Sequence, residues 1–148
     1  WTLSRGLGDV YKRQALPLAA ERCYMTSDVG TPVSVLRDGV GKRFTFRDDE
    51  FPEDNWWYGA RADSPEYAPP PADDWRPPGK YCSAGEPLDA FRARMAALTA
   101  WLEARDEAVI GVTCHWGVLA ALTGTSFENC EMRRIPLADL RVRTDVEY

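Results

Sequence analysis

What this chain has least of is histidine: of its 148 residues only His115 carries an imidazole. Chemistry that needs two imidazoles cannot be assembled from it. Nor is there a run near the roughly 20 apolar residues that cross a bilayer, or the apolar N-terminal core of a secretory signal. A cytosolic protein with no membrane partner is therefore expected. Clustered basic residues are missing too. The net charge of -5 argues against nucleic acid, whose phosphates are bound by grouped Lys and Arg that displace counterions. The four cysteines, Cys23, Cys82, Cys114 and Cys130, form no C-x-x-C pair, which excludes a zinc ribbon or a dithiol redox motif. Reduced, mostly buried thiols fit a cytosolic compartment, whereas export would allow two disulfides. The spacing of Asp and Glu offers no ligand cluster, so neither metal nor cofactor is expected.

What remains is a chain that is 45% hydrophobic and 28% charged, enough for one substantial core and one domain. Residues 1–14 show no periodicity and no capping pattern, and they look foreign to the fold. They resemble linker read-through of the kind fused to gene fragments, the alternative being a native flexible arm. Residues 15–24 are short and apolar and run into Asp28, Gly30 and Pro32, which predicts a strand entering a turn-rich loop with Glu21 near the strand end. From about 33 to 81 the chain is irregular, with Trp56, Trp57 and Tyr58 followed by prolines. An excursion of that length is either a lid over a pocket or a disordered insertion.

The clearest local signal starts at Pro87, suited to a first helical turn, with Asp89 placed to complement the helix dipole. Leu88, Phe91, Met95, Leu98 and Leu102 then alternate at spacings of three and four, predicting a helix to about 105 with Arg92, Arg94 and Glu103 off the apolar stripe. Residues 108–114 (AVIGVTC) read as a strand covered on both faces, ending at His115. Residues 117–123 read as a short buried helix stopped by Gly124, and 129–137 as a last strand. Helix, buried strand, helix, strand is the order of an α/β domain, expected here as three αβα layers on a mostly parallel central sheet.

In such sheets ligands bind beyond the carboxyl ends of the strands, where the next helix offers unpaired amides and partial positive charge. His115 stands at such an edge, beside the backbone amides of Trp116 and Gly117, and glycine lets a ligand approach the backbone closely. A phosphate is the natural occupant. The plainer alternative is a histidine packed at a strand end and bonded to a carbonyl.

The block from Phe91 to Glu131, with WLEARDEAVIGVTCHWGVLAALTG and then FENCE, resembles the last third of histidine phosphatases, the phosphoglycerate mutase-like superfamily. The resemblance makes His115 the second catalytic histidine, which stabilises the phosphoryl oxygens, and Trp116 departs from the small residue often found there. The segment LPLAAERCYMTSDVGTP resembles the stretch carrying the family's proton donor, which makes Glu21 the candidate acid, though Glu21-Arg22 reverses the usual order. A surface glutamate at a strand end is its plainer alternative. The family's nucleophile lies in an Arg-His-Gly motif, and no such motif occurs here. The resemblance thus implies that residues 15–148 are the C-terminal portion of one such domain, incomplete on the N-terminal side of its sheet and inactive alone. It further implies phosphomonoester hydrolysis through a phosphohistidine, without metal or cofactor, on a phosphorylated small molecule or phosphoprotein.

Two other classes compete. A non-catalytic binding module would expose Trp56, Trp57, Tyr58 and Trp75 beside the proline-rich turn as a recognition surface, although tryptophans in a small domain more often anchor loops to the core. A cysteine hydrolase would use Cys114 with His115, but neighbours in a strand point to opposite faces.

Overall fold

The computed structural model describes residues 13–39, 43–51, 54–57 and 86–145, and residues 1–12 with the prolines 69–71 lie outside them. Its core is built on α2, Leu88–Glu103, and α3, Trp116–Thr123. The three-and-four spacing puts Phe91, Met95, Leu98 and Leu102 on one face of α2, and all four are buried against Val118, Ala121 and Leu122 of α3. Removing each of the larger side chains from water contributes about 1.5–3 kcal/mol. α2 opens at Pro87, whose missing N–H costs nothing at a helix start, and Asp89 stands in the first turn. α3 closes on Gly124, whose φ of 70° belongs to the left-handed region that favours glycine. Its last carbonyls are taken up from outside: Arg141 N–H donates to Leu122 at 3.2 Å and Arg143 N–H to Ala121 at 2.8 Å. Both helices match the expected ones to within two residues at each end.

The segment expected as a strand over 15–24 instead holds a 3-10 turn at Pro17–Ala19, and a second one, Thr26–Asp28, follows in the loop expected to be turn-rich. The reason is local. Pro17 has no N–H for a ladder, the amides of Ala19 and Ala20 turn back to Leu16 and Pro17, and the Asp28 carboxylate takes the amides of Tyr24 and Met25. Leu16, Leu18 and Ala19 still pack onto the α2–α3 core. The last expected strand is also replaced, by a turn at Asn129 and Cys130, with φ of 62° at Cys130, and a 3-10 turn over Leu137–Asp139. Pro136 immediately precedes that second turn and removes a ladder donor.

Residues 108–114 carry neither helical nor ladder pairing, and none of their backbone groups has a backbone partner among the described residues. A helix closes its hydrogen bonds within its own span, whereas a strand exists only beside another. Strand-like pairing among the described residues is confined to isolated bridges such as the parallel one between Gln14 and Thr45.

The excursion beginning at 33 is more ordered than expected at its start. It opens with α1, Val33–Gly39, whose first amides are held from a distance: Val33 N–H donates to the Asp54 carbonyl at 2.9 Å and Ser34 N–H to the Asp54 carboxylate at 2.6 Å. Phe46, Phe51, Trp56 and Trp57 then follow in a chain of ring contacts with centroids 5.5 to 6.2 Å apart, tilted between the two phenylalanines and edge-to-face in the other two. Among the described residues no helix is long and apolar enough to cross a membrane.

Candidate functional site

α3 begins immediately after His115, which occupies its N-cap position in an extended conformation and gives the helix no side-chain cap. Histidine is a poor cap, so the first-turn amides must find partners elsewhere. The Gly117 N–H finds one 96 residues away in sequence: it donates to Oε2 of Glu21 at 2.9 Å. The other carboxylate oxygen accepts from the Arg22 N–H at 2.8 Å. A carboxylate at a helix N-terminus is favoured by both the free amides and the dipole. Glycine at 117 also leaves room for this contact, because a Cβ there would overlap the Glu21 carboxyl group and push it aside.

The two candidate catalytic residues are therefore brought to one helix end, Glu21 on the second residue after His115. The His115 ring is exposed and makes no hydrogen bond among the described residues. The Gly117 amide, expected to face phosphate, is taken by Glu21, which leaves the Trp116 amide without a backbone partner among the described residues. The Trp116 side chain is half exposed and donates from its indole nitrogen to Ser126 Oγ at 3.0 Å. A cavity of about 300 Å³ is lined by Glu21 together with Leu18, Trp56, Trp57, Glu50 and Arg94 among others, and His115 is not among its lining residues.

Behind Glu21 stands a pair that the sequence pattern did not single out. Glu86 is 3% exposed and receives both ends of a bidentate ion pair from Arg94, at 2.9 and 2.6 Å. Arg94, expected off the apolar stripe, sits on its edge, three residues after Phe91 and four before Leu98, with its guanidinium over the Phe91 ring at 5.0 Å. A cation at that register, eight residues after an acid that precedes the helix, is the signal that would have found it.

The competing readings meet the same geometry. Burial and the nearby Glu21 charge push the Cys114 thiol up to about 11, the reverse of what a nucleophilic cysteine needs, and no hydrogen bond joins it to His115 among the described residues. Cys23 is buried, Cys114 half-buried and Cys130 exposed, all as free thiols, and Cys82 lies outside the described residues. Trp57 is buried, and Trp56, partly buried, donates to the Thr31 carbonyl at 2.9 Å. Tyr58 and Trp75 lie outside the described residues. Among the described residues no group of three His, Cys, Asp or Glu side chains could hold a metal ion. No family model, curated protein or solved structure matches the chain.

Proposed function

We propose that residues 15–148 are the C-terminal portion of a histidine phosphatase-like αβα domain that hydrolyses phosphomonoesters in the cytosol, with His115 and Glu21 as two of its working residues. The observation that carries this reading is the Glu21 carboxylate on the Gly117 amide at 2.9 Å, next to the exposed His115 ring. A carboxylate is an anion held where the helix end favours negative charge, and a phosphoryl oxygen is attracted by the same amides and dipole. Phosphate bound there would take the neighbouring Trp116 amide and the His115 ring, with the Glu21 carboxylate on the Gly117 amide of the same first turn of α3.

In the intact domain the nucleophilic imidazole, supplied by a segment that this chain does not contain, attacks phosphorus as the bond to the alcohol oxygen breaks. Glu21 gives that oxygen its proton, and His115 stabilises the equatorial phosphoryl oxygens. Water then attacks the phosphohistidine, its proton passes to Glu21, and inorganic phosphate leaves. With one histidine, the chain as it stands cannot complete this cycle. In this reading the partner strands of 108–114 belong to that same segment. The substrate is a phosphorylated small molecule or a phosphoprotein.

The test is hydrolysis of p-nitrophenyl phosphate by the chain as it stands and by a version in which residues 1–14 are replaced by the sequence preceding Ala15 in the intact source gene. Activity is expected in the second protein alone, falling about 100-fold or more in His115→Ala. Turnover by the chain as it stands, or an extended protein indifferent to His115→Ala, would overturn the proposal.

A further inference from the structure

Glu21 lies in a segment without helix or ladder, and a side chain aimed at a helix end from such a segment must have its backbone fixed by something else. The carbonyls that fix it converge on one residue. Arg94 Nη1 donates to the carbonyls of Leu18 at 3.0 Å and Ala20 at 2.7 Å, and Nη2 reaches the carbonyl of Glu21 itself at 3.3 Å. The remaining bonds, from Nε and Nη2, go to the Glu86 carboxylate. A guanidinium has five N–H groups, and these five contacts use them all. Glu86 closes the arrangement with its main chain, donating its N–H to the Cys23 carbonyl at 2.6 Å and accepting from Arg22 Nε at 2.8 Å.

We propose that Arg94, held by Glu86, is the positioning residue that sets the Glu21 carboxylate on the α3 N-terminus. The backbone is gripped on both sides of Glu21: the carbonyls of residues 18, 20 and 21 by the guanidinium, and the Cys23 carbonyl by the Glu86 N–H, while the Glu86 carbonyl holds the Arg22 side chain. Only the Glu21 side chain is left to reach Gly117. The Glu86 carboxylate balances the charge of Arg94, so its effect on Glu21 is geometric rather than coulombic. With every donor occupied, Arg94 is also not available to bind phosphate. Lysine cannot replace it, since an ammonium has three donors on one atom and cannot span three carbonyls and two carboxylate oxygens in one plane. The inference rests on the phosphatase reading only in taking Glu21 as the working acid.

The experiment is amide hydrogen exchange on the full chain, comparing Gly117 with Leu102 of α2 and Leu122 of α3, in wild type and in Arg94→Lys. Loss of the guanidinium grip is expected to speed exchange at Gly117 by about tenfold or more relative to the two leucine amides. A merely structural role would speed all three together, and that result overturns the proposal. Should Arg94→Lys fail to fold, Glu86→Gln decides: it keeps the shape of the side chain and loses the ion pair. A rise confined to Gly117 supports the assignment, while a parallel rise or loss of folding overturns it. No phosphate compound enters the measurement, so failure of the phosphatase reading leaves the result standing.

Discussion

Two stretches of this chain carry comparable apolar sequence and come to opposite ends. In α2 and α3 the apolar residues on the facing stripes are buried, Phe91, Met95, Leu98 and Val118 completely. Along 108–114 and the C-terminal stretch, Val109 is 64% exposed and Met132 93% exposed. The difference is not one of hydrophobicity. Each helix closes the hydrogen bonds of its middle turns internally, needs outside partners only at its ends, and packs one face against the other helix. The 108–114 segment needs a neighbour for its backbone as well, and none is present among the described residues. Its Ile110 and Cys114 side chains pack against the core while Val109 does not. Apolar content alone thus secures burial only where hydrogen bonding is closed locally.

The largest expected effect separates the two stretches directly. Phe91→Ala should destabilise the chain by about 3–5 kcal/mol, because it opens a cavity between the two helices. Chemical denaturation measures it through the midpoint at constant slope. A cost below about 1 kcal/mol would mean that the α2–α3 contact is not the principal core, and the contrast drawn here would fail.

What could be read from the sequence divides along the same line. α2, α3 and the Gly124 stop were legible because periodicity and capping are local properties of consecutive residues. The strands expected over 15–24 and 129–137 were not found, since a run of apolar residues says nothing about a partner and Pro17, Asp28 and Pro136 favour turns over ladders. α1 went unread because its first turn is capped by Asp54, 20 residues later. At the site, residue resemblance picked out His115 and Glu21, but not what Glu21 bonds to. Pairings such as Glu21 with Gly117, or Arg94 with the carbonyls of 18, 20 and 21, are made by tertiary structure and leave only a faint mark in sequence spacing.

A smaller effect sharpens the role of the Glu21 contact through its sign. Alanine favours a helix over glycine by about 1 kcal/mol, so Gly117→Ala should stabilise α3 if nothing stands over it. With Glu21 in place the new Cβ displaces the carboxylate, and the lost charge-assisted bond outweighs the propensity gain, giving a net loss of about 1 kcal/mol. In a Glu21→Ala background the same substitution should be neutral or stabilising by up to about 1 kcal/mol. A double-mutant cycle reads the coupling. Equal effects in both backgrounds would show that Glu21 is not the group over Gly117.

The smallest expected change is the most informative about the exposed stretch. Val109→Lys places a charge on a side chain that already faces water, so the monomer's stability should shift by no more than about 0.5 kcal/mol. The same substitution should reduce self-association in sedimentation or light scattering, because lysine on an unpaired apolar strand discourages edge pairing between copies. A stability loss above about 1.5 kcal/mol would mean that Val109 is covered in solution, and 108–114 would then belong with the helices as a closed element. Unchanged stability with unchanged association would place the sticking surface elsewhere, with Met132 as the next position to charge, since it is the most exposed of the large apolar side chains among the described residues.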